Sequence, residues 1–287
     1  MAMTDARTKS PFPPPCVVTP AGIPAHRPYL PYHRLVPRFL TRPLIVVPLV
    51  LLLVIIGAGI WFWASAGSST EVSAAAALRD YGTPGSTTTT GPRAGAWTYR
   101  VKGSETVGLG PIQLTRDLPA DARLVVRPSG HGYWRTLALS EEHVEGVRFE
   151  VGPNGTREVA RRTTVTVAGL GREDNSTLRP PPLVLPRGMS VGDAWQQHYR
   201  LRRITVDARV RVLRRDVVRV GERDVPVLVI RTTADITGMF PGHRTDTQWI
   251  APSLALPARW TIAMEIGGTA SLKMTADLTL ASTEPVK

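Results

Sequence analysis

WTIAMEI at residues 260–266 and SLKMTADLTL at residues 271–280 decide the fold. In the first, Trp260, Ile262, Met264 and Ile266 alternate with Thr261, Ala263 and Glu265. In the second, Leu272, Met274, Ala276, Leu278 and Leu280 alternate with Ser271, Lys273, Thr275, Asp277 and Thr279. Side chains along a strand point to opposite faces in turn, so a period of two gives one dry face and one wet face. The same alternation opens the region at Trp97, Tyr99 and Val101. It predicts further strands near 122–127, 132–139, 146–151, 156–168, 195–204, 206–213, 217–220, 224–236 and 244–250. Turns are expected at GPNG (152–155), where Asn154-Gly155 is a strong hairpin signal, at VGERD (220–224) and at FPGH (240–243). No run of eleven residues carries amphipathic helical spacing. Residues 95–283 therefore read as one mainly β domain of meandering antiparallel strands.

The rest of the chain reads differently. Leu44 to Trp63 is twenty residues without a charge. At about 1.5 Å per residue it spans ~30 Å, the thickness of a bilayer's hydrocarbon core. A soluble core helix keeps a polar stripe, and this stretch has none. Arg34, Arg38 and Arg42 precede it, and the fifteen residues after Trp63 hold no Lys or Arg. The positive-inside bias then puts the N-terminus in the cytoplasm and the β domain outside. Residues 43–64 are thus expected to be a single-pass signal-anchor helix in the cell membrane. Ala64-Ser65-Ala66 resembles a signal-peptidase site, which leaves cleavage after Ala66 as the alternative. Residues 1–42 contain nine Pro, six basic residues and one acidic residue. Such a tail buries too little apolar surface to offset chain entropy, so it is expected to be disordered. Residues 65–94, rich in Ser, Thr, Gly and Ala, read as a linker with a short helix at 73–81 and freedom to reorient the domain.

Composition narrows the chemistry. The 287-residue chain carries 35 Lys plus Arg against 23 Asp plus Glu, a net charge of +12. Residues 95–287 hold 27 of the basic and 20 of the acidic residues. No nucleic-acid-binding module accompanies the charge, and the basic tail is explained by the membrane segment, so nucleic acid is not expected as a partner. The single Cys16 excludes an intramolecular disulfide framework and a multi-Cys metal site. There is no Gly-x-Ser-x-Gly, no Walker loop and no His-Glu-x-x-His, so no catalytic residue, metal or cofactor is assigned. His131 and His143 with Glu141, Glu142 and Glu145 match no zinc spacing and read as an exposed hairpin end.

Three segments carry a resemblance. GDAW (192–195) opens a strand, PVLVI (226–230) is a β-branched strand after a tight turn, and WIAPSLALPARW (249–260) joins two strands through a Pro-bounded corner. Over about residues 95–281 this order resembles an uncharacterised group of single-pass bacterial membrane proteins, mainly actinobacterial, whose outer domain is a curved antiparallel sheet. More loosely, it is similar to lipoprotein-carrier half-barrels of the LolA and LppX type. The resemblance implies a curved sheet or half-barrel facing the envelope.

A curved sheet can offer its concave apolar face to a ligand. Trp195, Tyr199, Leu228, Ile230, Trp249, Trp260, Ile262 and Met264 are the candidate ligand face. The same residues would also fill an ordinary core, and periodicity does not separate the two. Arg is dense at 200–223, which fits either a solvated outer face or docking to anionic groups. The functional expectation is a non-enzymatic envelope protein that binds a lipid, a wall polymer or a protein. The alternative is an envelope hydrolase with loop-borne catalytic residues.

Overall fold

The computed structural model describes residues 71–72, 91–110, 112–167, 170–268 and 270–286. The predicted tail and membrane helix, and the short linker helix at 73–81, lie outside them. No helix among the described residues is long and apolar enough to cross a membrane.

The described secondary structure is entirely strand. In chain order it comprises β1 (Gly95–Leu109), β2 (Ile112–Asp117), β3 (Asp121–Ser129), β4 (Gly132–Ala138), β5 (His143–Gly152), β6 (Gly155–Val167) and β7 (Leu170–Thr177). There follow β8 (Leu183–Pro186), β9 (Ala194–Leu201), β10 (Ile204–Val220), β11 (Arg223–Gly238), β12 (Gly242–Ala251), β13 (Leu256–Ile266) and β14 (Ala270–Leu280). All belong to one sheet with the path β7-β6-β5-β4-β3-β1-β14-β13-β12-β11-β10-β9. Each described pairing is antiparallel, so the fold is an up-and-down meander whose first and last strands meet. Two short strands lie off the path. β2 continues the edge of β1 beyond β3, and β8 continues the edge of β6 beyond β7. The result is a curved, nearly closed barrel-like sheet, because twisted strands paired in sequence coil on themselves.

The structure extends several predictions. β10 is one strand of 17 residues rather than the two expected segments. Its register slips between Val212 and Arg214, so Leu213 is an extra, bulged residue. A bulge bends a strand and interrupts its alternation, which makes one strand look like two. The expected strand at 195–204 ends instead at Leu201, and Arg202-Arg203 form a hairpin turn that carries no Gly, Asn or Pro signal. The Asn154-Gly155 hairpin stands where expected, and its Gly is required twice. Gly155 has φ of 126°, and a Cβ there would lie 2.1 Å from the Leu185 carbonyl oxygen of β8.

The sheet meets itself at one place. Arg179, two residues past β7, and Arg200 of β9 exchange backbone hydrogen bonds of 3.0 and 2.9 Å. Below that bridge the Trp195 indole N–H and the Gln197 amide both donate to the Leu183 carbonyl, at 2.9 and 2.8 Å. This seam is held by a bridge and side chains, where every other join is a continuous ladder. The interior is filled mainly by Trp97, Tyr99, Leu124, Leu139, Phe149, Trp260, Met274, Leu278 and Leu280, all buried.

One linker residue is also fixed. Val72 is buried against Ala96, Val125 and Ala138, so the linker is docked on the β1-β3-β4 wall at this point. β3 and β10 stand six places apart on the twelve-strand path, so the docked linker sits on the wall opposite β10.

Candidate functional site

Two regions could carry function: the lumen and the seam. The lumen holds charges that the sequence does not announce. Glu105 on β1 follows Trp97, Tyr99 and Val101 in phase, so its carboxylate turns inward with them. Arg116, directly across on β2, reaches it with Nε at 2.6 Å. The other Glu105 oxygen meets His143 Nδ1 at 2.6 Å, and His143 Nε2 stands 3.7 Å from Glu145. That longer separation is an ion pair without a hydrogen bond. Glu145 then takes Arg244 Nη1 at 3.1 Å, and Arg244 Nε donates to Asp246 at 2.8 Å. Asp246 finally accepts the Trp260 indole N–H at 2.9 Å. β5 and β12 are six places apart on the path, so the Glu145–Arg244 pair crosses the lumen from wall to wall.

These contacts set the protonation states. Burial alone would lower the His143 pKa, but the hydrogen bond to Glu105 and the charges of Glu105 and Glu145 outweigh it and hold the imidazole at about 9. Burial alone would raise the Glu145 carboxyl. Arg244 and His143 outweigh it and keep this group well below the usual carboxylate range. At neutral pH His143 is therefore cationic and Glu145 anionic. The structure corrects the expectation that His143 and Glu145 sit on an exposed hairpin end. The Ser140 hydroxyl accepts from the backbone N–H groups of Glu142 and His143, and this tight turn throws His143 inward, where it is fully buried.

The candidate ligand face is divided. Tyr199, Ile230 and Trp260 line one small chamber of about 110 Å³ beside Arg244 and Asp246. Ile262 and Met264 continue the inner face of β13 within the main core. Trp195 and Leu228 are partly buried against Val210, Val212, Ile230 and Ile250. Trp249 is partly buried at the margin of the main core. It follows the chamber-lining Gln248, so it points to the other face, where Asp216 accepts its N–H at 3.2 Å and the Arg259 guanidinium lies 4.8 Å over its ring. The chamber is smaller than the ~300 Å³ at which ligand pockets begin, and charged groups share its lining.

The seam offers more room. A cleft of about 750 Å³ lies outside the Arg179–Arg200 bridge, lined by Asn175, Ser176 and Thr177 on one side and His198, Arg200, Leu201 and Arg202 on the other. Arg179, Arg200 and Arg202 are exposed, and none of their side chains has a hydrogen bond or ion pair among the described residues. Among the described residues, no carboxylate lines the cleft. His198 does carry a partner, Asp207, at 2.6 Å. The Arg-rich run at 200–223 pointed here only in part, since Arg179 lies outside it. Among the described residues, no group of three His, Cys, Asp or Glu side chains is placed to hold a metal ion.

Comparison with known proteins adds little. No family model matches the chain. No curated protein matches it either. Among solved structures it is similar to the hypothetical lipoprotein YmcC from Escherichia coli, at 9% identity and a TM-score of 0.32, over 64% of this chain and 86% of that one. A likeness of that size says nothing about function.

Proposed function

We propose that this chain is a non-enzymatic, single-pass membrane protein whose β domain faces the cell envelope and binds a phosphate-bearing polymer in the seam cleft. The observation that carries the reading is the cleft itself: three arginines that, among the described residues, have no acidic partner, in a groove lined by no described carboxylate. Guanidinium forks match phosphate oxygens in pairs, and unpaired positive charge in a concavity concentrates anions. A flat bilayer surface does not fit into a groove, whereas an extended polymer lies along one. Acyl-chain carriage in the lumen is disfavoured, because the lumen is largely filled and its chamber of about 110 Å³ falls below the ~300 Å³ at which ligand pockets begin.

The hydrolase reading keeps one observation, the His198–Asp207 pair beside Ser176. Ser176 donates its hydroxyl to Asp174 at 2.6 Å, and among the described residues it makes no hydrogen bond to His198. The test uses the full chain in detergent and fluorescently labelled polyphosphate, read by anisotropy. Wild type is expected to bind with strong salt dependence and without phosphate release. The combined Arg179→Gln, Arg200→Gln and Arg202→Gln substitutions should weaken binding at least about tenfold. Unchanged binding in that variant removes the cleft from the account, and phosphate release abolished by His198→Ala would favour the hydrolase.

A further inference from the structure

The lumen's ion pairs leave one cation over. Arg116 and His143 share Glu105, Arg161 is paired with Glu158, and Arg244 lies between Glu145 and Asp246. Arg135, also lining the chamber, has no carboxylate and no hydrogen-bond acceptor among the described residues. Its guanidinium is held between two rings, 4.8 Å from the centre of Phe149 and 5.3 Å from that of Trp260. Ring faces satisfy the flat faces of a guanidinium and leave its in-plane N–H donors free. Those donors stand in a space of about 110 Å³, enough for one small oxyanion and too small for a polymer.

The chamber also has a route in. Part of its wall is formed by Leu185 of β8 with Gln197 and Tyr199 of β9, where the sheet is closed by side-chain bonds to Leu183 instead of a ladder. We propose that this chamber binds a small oxyanion, a carboxylate or an inorganic phosphate, on the Arg135 donors, reached through the seam. The site is separate from the outer cleft, because Gln197 and Tyr199 face inward while His198 and Arg200 on the same strand face out.

The test is calorimetric titration of the full chain in detergent with acetate and, separately, with phosphate, at constant ionic strength set by chloride. The change in intrinsic tryptophan fluorescence that is lost in Trp260→Phe serves as a second readout. Saturable one-site binding of at least one anion is expected; acetate alone marks a carboxylate site, and phosphate alone a phosphate site. Arg135→Met should weaken it at least about tenfold. Arg135→Lys keeps the charge, loses the planar fork and should also weaken binding, which preserves the test if the Met variant does not fold. Arg219→Gln, at an exposed pair with Asp224 outside both sites, should bind as wild type, and the Arg200→Gln, Arg202→Gln double variant, which disables the outer cleft, should retain the Arg135-dependent binding. Absence of saturable binding for both anions overturns the proposal. So does wild-type binding by both Arg135 variants, or a loss that follows Arg200 and Arg202, which would assign the anion to the cleft.

Discussion

Replacing Arg244 by Met tests whether the lumen is held by charge. The guanidinium lies 3.1 Å from Glu145 and 2.8 Å from Asp246, and the three side chains are at most 14% exposed. Removing it takes the guanidinium from Asp246 and leaves Glu145 only the more distant His143 in a poorly solvated interior. Breaking a buried pair from one side costs about 3–5 kcal/mol. A domain of this size loses about 2–4 °C of melting temperature per kcal/mol, so the expected fall is roughly 6–20 °C. The assay is thermal unfolding of the full chain in detergent, followed by near-UV circular dichroism. pH supplies a second handle. Glu145 is held below its ordinary 4.5, so its contribution is present above that value and lost as pH falls through the lowered one. The gap between wild type and variant should therefore shrink in acid, as the stranded carboxyls take up protons. A penalty under about 1 kcal/mol that does not vary with pH would mean the strut is hydrated, and would refute the reasoning.

Four further outcomes follow from the same geometry. The imidazole of His143 is raised from 6.5 to about 9, so its contribution, about 3 kcal/mol, is complete below pH 6.5 and lost as pH rises through 9. Urea melts across that window should show this slope in wild type and a flat line in His143→Gln. Trp195→Phe with Gln197→Ala removes both donors to the Leu183 carbonyl and should cost about 1–3 kcal/mol, with hydrogen exchange faster around 183–201 than elsewhere. Gly155→Ala places a methyl group 2.1 Å from the Leu185 carbonyl oxygen, and chemical denaturation should show a loss of about 1–3 kcal/mol. Val72→Asp should cost about 1.5–3 kcal/mol by exposing the surface it covers on Ala96, Val125 and Ala138, read as a lower unfolding midpoint.

Alternation made most of the sheet legible, because strands such as β13 and β14 have one dry face. β7, reading LGREDNST, was not, since it has almost no apolar side chain to keep time and owes its conformation to pairing with β6. β8 is only four residues long, too short for a period to register. The inward charges left a signal of phase that reading His143 and Glu145 as an exposed hairpin end passed over. Glu105 falls in phase with Trp97, Tyr99 and Val101, and Glu145 falls in phase with Val147 and Phe149. Their partners Arg116 and Arg244 left none, because cross-lumen proximity depends on how the sheet closes. The cleft has the same origin. Arg179 and Arg200 become neighbours only where the two edges of the sheet meet.

The most direct test of the binding reading is hydrogen–deuterium exchange of the full chain with and without polyphosphate. The account predicts protection confined to peptides spanning 175–180 and 198–202, absent when Arg179, Arg200 and Arg202 are all replaced by Gln. Protection centred on the lumen strands at 133–149 and 256–266, or none anywhere, would contradict it.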